Sequence, residues 1–133
     1  MDMLANVIAQ KFVRAINRQD TEALAELMTP DHRFIDSLGN AVKGRDKMRA
    51  GWAAYFRIVP DYTIDIEDAF CDEPVVAMMG SAQGTYAPQG ELKSENQWVT
   101  PAAFRALIAE GKVAEWRVYA DNEPMRQLMA KSG

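Results

Sequence analysis

Cysteine is almost missing from this chain: Cys71 stands alone among 133 residues. One cysteine excludes a disulfide within the chain and fits a reducing compartment. Its acidic neighbours Asp72 and Glu73 would raise a thiol pKa, which argues against a nucleophile. Histidine is equally scarce, and His32 by itself offers too few ligands for a His-and-carboxylate metal site, so no metal is expected. A basic excess is also lacking. Fifteen Lys and Arg stand against 19 Asp and Glu, a formal net charge of −4. That balance disfavours nucleic acid and anionic membrane as partners, because both need a basic patch. No apolar run approaches the roughly 20 residues of a membrane span. Met1-Asp2-Met3-Leu4 has no positive stretch leading into an apolar one, so no secretory signal is visible. A cytoplasmic protein is the expectation. Gly39 and Gly44 have P-loop spacing without the Lys-Ser/Thr that must follow. There is no internal repeat and no low-complexity linker.

What is present suits one ordinary domain over 1–133. Apolar residues make up 48% and charged residues 26%. A chain of this length buries roughly two thirds of its unfolded surface, enough for a real core.

The first half reads as helical. Over 3–18, Leu4, Val7, Ile8, Phe12, Ala15 and Ile16 recur at helical spacing, and Asn17-Arg18-Gln19-Asp20 breaks the pattern. Asp20 is a good N-cap for a short helix carrying Leu24, Leu27 and Met28, which Thr29-Pro30-Asp31 ends. A strand follows over 32–36, then the turn Ser37-Leu38-Gly39-Asn40 and a brief extended return over 41–43. Gly44-Arg45-Asp46 opens a third helix with Met48, Trp52, Tyr55, Phe56 and Val59 on its apolar side, stopped by Pro60.

From Asp61 the period changes to alternation. Tyr62, Ile64 and Ile66 alternate with polar residues, and Cys71-Asp72-Glu73-Pro74 reads as a turn. Long strands follow over 75–86 and 95–109, and Gly80, Gly84 and Pro101 suggest bulges or bends. Glu110-Gly111-Lys112 is a tight turn. The last strand, 113–120, puts Trp116 and Val118 on one face and Arg117 and Tyr119 on the other. Asp121 or Asn122 can cap a final helix with Met125, Leu128 and Met129, Pro124 lying in its first turn. Helices first and strands after make an α+β pattern, a strongly curved antiparallel sheet with helices against one face. Such a sheet leaves a conical cavity.

The order of these elements resembles the NTF2-like (cystatin-like) superfamily, in its ketosteroid isomerase and SnoaL-like branches. The residues carrying the resemblance are Asn17-Arg18-Gln19-Asp20, the short helix from Leu24 to Met28, and Phe34-Ile35-Asp36-Ser37-Leu38-Gly39. Tyr55-Phe56-Arg57-Ile58-Val59-Pro60 and the closing Gly111-to-Asp121 stretch complete it. The resemblance implies a cone-shaped fold with a sheet wrapped round N-terminal helices, a homodimer through the open sheet face, and no cofactor. It places Asp36 where ketosteroid isomerases keep the aspartate that moves a proton alpha to a carbonyl. It also places Phe12 and Ala102 where those enzymes keep their two hydrogen-bond donors, so that donor pair is absent. Epoxide hydrolases of the superfamily carry an aspartate where this chain has Val118.

Read from the residues alone, Asp36 is either a base beside aromatic walls or a side chain that shapes its own turn. Phe12, Phe34, Trp52, Tyr55, Phe56, Trp98, Ala102, Trp116 and Val118 are the expected pocket residues, with Tyr55 and Trp98 offering polar hydrogens. His32 is expected to be exposed or locally bonded, and Asp121 to cap the last helix rather than act as a second acid. Three readings follow. One is a small cofactor-independent isomerase or cyclase working on a hydrophobic carbonyl compound. The others are a non-catalytic small-molecule binder and a dimerising interaction module.

Overall fold

The computed structural model describes residues 4–132. The first residue of the expected N-terminal helix, Met3, lies outside them. The elements run α1 (Leu4–Arg18), α2 (Thr21–Glu26), β1 (Met28–Ile35), β2 (Ala41–Lys43), α3 (Arg45–Ile58), β3 (Thr63–Asp72), β4 (Val75–Thr85), a 3₁₀ turn (Ser94–Asn96), β5 (Gln97–Ala109), β6 (Lys112–Ala120) and α4 (Glu123–Ser132). The six strands form one curved, open sheet in the order β2-β1-β6-β5-β4-β3. This is the expected α+β architecture. One junction differs from an all-antiparallel sheet, because β1 and β6 run parallel with Phe34 opposite Trp116.

Local chemistry explains most boundaries. α1 ends in a left-handed residue, Gln19 (φ 58°), whose N–H reaches the Ile16 carbonyl while that of Asp20 reaches Ala15. The Asp20 carboxylate then accepts from Ala23 N at 3.0 Å and caps α2. Asn17 does what a neighbouring strand would do. Its amide gives to the Ile64 carbonyl at 3.0 Å and takes from Ile64 N at 2.8 Å, tying α1 to the free edge of β3. Glu110 and Gly111, both at positive φ, form the two-residue β5–β6 turn.

Two sequence boundaries need correction. β1 begins at Met28, not His32: Met28 leaves α2 and pairs with Val113 as a fully buried strand residue. Pro30 fits because the β1–β6 register shifts between Met28 and Arg33, where no regular ladder needs its N–H. Cys71 and Asp72 belong to β3, and the turn is confined to Glu73-Pro74, joined by a cis peptide. β4 and β5 stay in register through Pro101, which lies opposite Ser81.

The expected curvature has two local devices. Glu67 is an extra residue in β3 opposite Gly80, and a Cβ on Gly80 would collide with the Asp65 carbonyl. A Cβ on Gly84 would strike the Val59 side chain at the end of α3. The inner face of the sheet, with Val76, Met78, Phe104, Ala106 and Trp116, meets Ile8, Phe12 and Ile16 of α1 in one core cluster. α3 lies beside it, over β1 and β2.

Candidate functional site

Between α3, α4 and the β1–β6 end of the sheet lies a cavity of about 590 Å³. Its volume falls in the range of small-molecule sites. α3 contributes a stripe at helical spacing, Met48, Trp52, Tyr55 and Ile58. Phe34 of β1, Val118 of β6 and Tyr62, just before β3, continue the wall. Met125 and Met129, one turn apart on α4, form the side opposite α3. The buried walls are Met48, Trp52, Tyr62 and Met125, whereas Val42, Lys47, Asn122, Arg126 and Met129 are exposed at the rim.

Asp36 sits on this wall and is its one carboxylate among the described residues. It is half-buried and occupied by its own turn. One oxygen accepts from Leu38 N and Asn40 N, both at 2.9 Å, and the other from the Asn40 amide at 3.2 Å. Partial desolvation pushes its pKa up. The Asn40 and Leu38 backbone bonds, the Asn40 side chain and Gly39 outweigh it, and the carboxyl ends below its ordinary value. Asp36 is therefore ionised at neutral pH and a weak base. The turn-shaping role is plain in the geometry.

Two phenols face the same space. Tyr55 and Tyr62 meet edge to face at 5.1 Å between ring centres. Burial raises both hydroxyl pKa values, and Tyr55 raises that of Tyr62 further. Both phenols stay protonated at physiological pH, so each has an O–H to donate and an oxygen that can also accept.

Of the residues expected at a pocket, Phe34, Trp52, Tyr55 and Val118 line this cavity together with Asp36. Phe12 and Trp116 do not: both are fully buried, 4.8 Å apart in ring centres, in the core beneath α1. Ala102 and Phe56 are also packed into the core cluster. Trp98 lines a separate groove with Asp61, Gln83 and Thr85. His32 corrects the expectation of an exposed residue. It is fully buried, and its Nδ1 lies 2.7 Å from the Val113 carbonyl. Asp121 caps α4, accepting from Glu123 N at 3.0 Å, and is not on the cavity wall. Tyr62, Lys47, Arg126 and the α4 methionines were missed. A signal for Met125 and Met129 was available: their i, i+4 spacing demands a covered face, and no other element had been assigned to cover it. Among the described residues no group of three or more His, Cys, Asp or Glu side chains gathers as metal ligands would. No helix among them is long and apolar enough to cross a membrane.

Comparison with known proteins bears on the fold and the family. Searching curated proteins finds no match to this sequence. Solved structures resemble it over almost their whole length. A SnoaL-like polyketide cyclase candidate from Shewanella denitrificans superposes with a TM-score of 0.82 at 16% identity, covering 98% of this chain and 99% of that one. A second such candidate, from Jannaschia, gives 0.78 at 20% identity over 98% and 95%. An epoxide hydrolase of the limonene epoxide hydrolase-like kind from M. tuberculosis gives 0.77 at 13% identity over 96% and 90%. At these identities the likeness is one of fold. The SnoaL-like domain family itself matches residues 9–116. This span runs from α1 to the middle of β6, and the chain belongs to the SnoaL-like domain family.

Proposed function

We propose that this chain is a small cofactor-independent enzyme that moves a proton on a hydrophobic, polyketide-like carbonyl compound held in the cavity. The observation that carries the reading is the pairing of one ionised carboxylate, Asp36, with two protonated phenols on an otherwise mostly apolar wall. Asp36 takes a proton from carbon alpha to the carbonyl. The C–H electron pair moves into the carbonyl to give an enolate, and Tyr55 or Tyr62 donates a hydrogen bond to the oxygen as it gains charge. The proton then returns from Asp36 to another carbon, or the enolate carbon attacks a second carbonyl and closes a ring, the broken C=O π bond leaving an alkoxide that takes the proton back from Asp36. A base of low pKa suits an acidic carbon, such as one between two carbonyls, better than a simple ketone. The polyketide cyclase candidates among the structural neighbours support that substrate class.

The test is enzyme-dependent exchange in D₂O of the C1 protons of 2-tetralone, acidified by both the carbonyl and the aromatic ring, followed by NMR. Exchange above the buffer rate with the wild-type chain, lost in Asp36→Asn while binding persists, is the expected outcome. Equal exchange in both removes Asp36 from the chemistry. A second reading has its own observation: both Asp36 oxygens are already spent on the turn. Thermal stabilisation by ligand without exchange would assign a non-catalytic binder.

We also place a second copy of the chain on the outer sheet face. Phe70, Met79, Val99 and Tyr119 are exposed there. Asp68 and Asp72 lie toward the β3 edge, and Arg117 on the β6 side beside Arg105, which is already paired with Glu115 at 2.9 Å. A two-fold pairing would set acids against bases around an apolar centre. Sedimentation should show a dimer that Met79→Lys converts to monomer. A wild-type monomer at high concentration would refute it.

A further inference from the structure

The substrate class can be narrowed from charges at the cavity rim, on the reading that the cavity is a ligand site. The chain as a whole is acidic, with 15 basic against 19 acidic residues. The cavity wall reverses that sign, with two cations, Lys47 and Arg126, against one anion, Asp36. These three are not equivalent. Asp36 is already met by three N–H donors of its own turn. Arg126 shares its guanidinium with Glu123, at 3.1 Å through Nε and 3.0 Å through an Nη nitrogen. Lys47 forms no ion pair among the described residues. It stands exposed at the rim of a wall whose other α3 members are Met48, Gly51, Trp52, Tyr55 and Ile58. The cavity thus has a buried apolar floor with phenol donors and a rim that carries an unneutralised ammonium and the Asn122 amide.

We propose that the ligand is an amphipathic anion. Its flat apolar body and carbonyl occupy the buried end near Trp52 and Tyr62, and a carboxylate stays at the rim against Lys47, with Arg126 as a weaker second contact. A carboxylate there keeps part of its hydration, so it need not meet the cost of full burial. A neutral ligand of the same shape gains the apolar term but leaves the ammonium unmatched.

The experiment is calorimetric titration at low salt with two probes, anthraquinone-2-carboxylate and its methyl ester. The acid should bind up to about fivefold tighter than the ester, the size expected of a part-exposed ion pair of about 1 kcal/mol. Lys47→Met should remove most of the gap, Lys47→Glu should invert the order, and Arg126→Gln should shrink the gap less. Lys93→Met, outside the cavity, should leave the gap intact. The preference should shrink as salt rises. Equal binding of acid and ester by the wild-type chain, or a preference undiminished by Lys47→Met, overturns the inference and leaves the cavity reading standing. Binding of neither probe overturns both.

Discussion

The same curved sheet carries two unlike regions. Beneath α1 the space is filled: Phe12, Trp116 and Phe104 are buried to within 2%, and the Phe104 and Trp116 rings stack at 5.4 Å. Between α3 and α4 it is open, about 590 Å³ walled by tyrosines, methionines and one face of Trp52's aromatic cluster. The difference lies in helix placement rather than in hydrophobicity. α1 lays seven buried residues along the sheet centre, whereas α4 comes from the chain's end and lines the cavity with only Met125, Arg126 and Met129. Filled space holds the fold together, and the unfilled space is where we propose that the ligand sits.

Phe12→Ala should break the comparison at its strong end. Truncating a fully buried phenylalanine costs about 3–5 kcal/mol, which a urea melt would read directly. A loss under about 1 kcal/mol would mean that the region under α1 is not close-packed.

His32 sharpens the same contrast through pH. Burial lowers its pKa below 6.5, while the Val113 carbonyl and the nearby Glu115 and Asp31 oppose the shift without cancelling it. The folded state therefore favours the neutral imidazole. The stability tied to this is complete above the unfolded pKa near 6.5. It is lost as pH falls from there through the lower folded value, at up to about 1.4 kcal/mol per pH unit. Melts between pH 7.5 and 5 should show this decline, and His32→Phe should flatten it. A variant that declines as steeply as wild type would place the sensitivity elsewhere.

Met129→Ala is the smallest expected effect. At an exposed rim position, a loss within about 0.5 kcal/mol is expected, as for ordinary surface substitutions. A cost of 2 kcal/mol or more, on the scale of methionine truncation in a packed core, would show α4 to be part of the core.

Architecture was legible in the sequence because helical and alternating periods are local. Trp52, Tyr55 and Phe34 could be placed near a cavity for the same reason, since α3 and β1 each show which face is apolar. What was not legible depends on which element covers which. Phe12 and Trp116 have the same character as cavity residues, and only the seating of α1 makes them filling. His32 reads as polar beside Pro30-Asp31, yet the strand begins at Met28 and turns it inward against Phe12. Asp36 carried both readings in its sequence. The bonds from Leu38 and Asn40 give it a turn, and the cavity beside it gives it an opportunity.

The chain's three tryptophans offer an internal test of the central claim. Trp52 lies in the cavity wall, Trp116 in the filled region and Trp98 in the separate groove. Titration with a flat aromatic ketone, followed through the three indole N–H signals by ¹H–¹⁵N NMR, should shift Trp52 and leave Trp116 and Trp98 in place. A shift confined to Trp98, or movement of Trp116 as large as that of Trp52, would contradict the account.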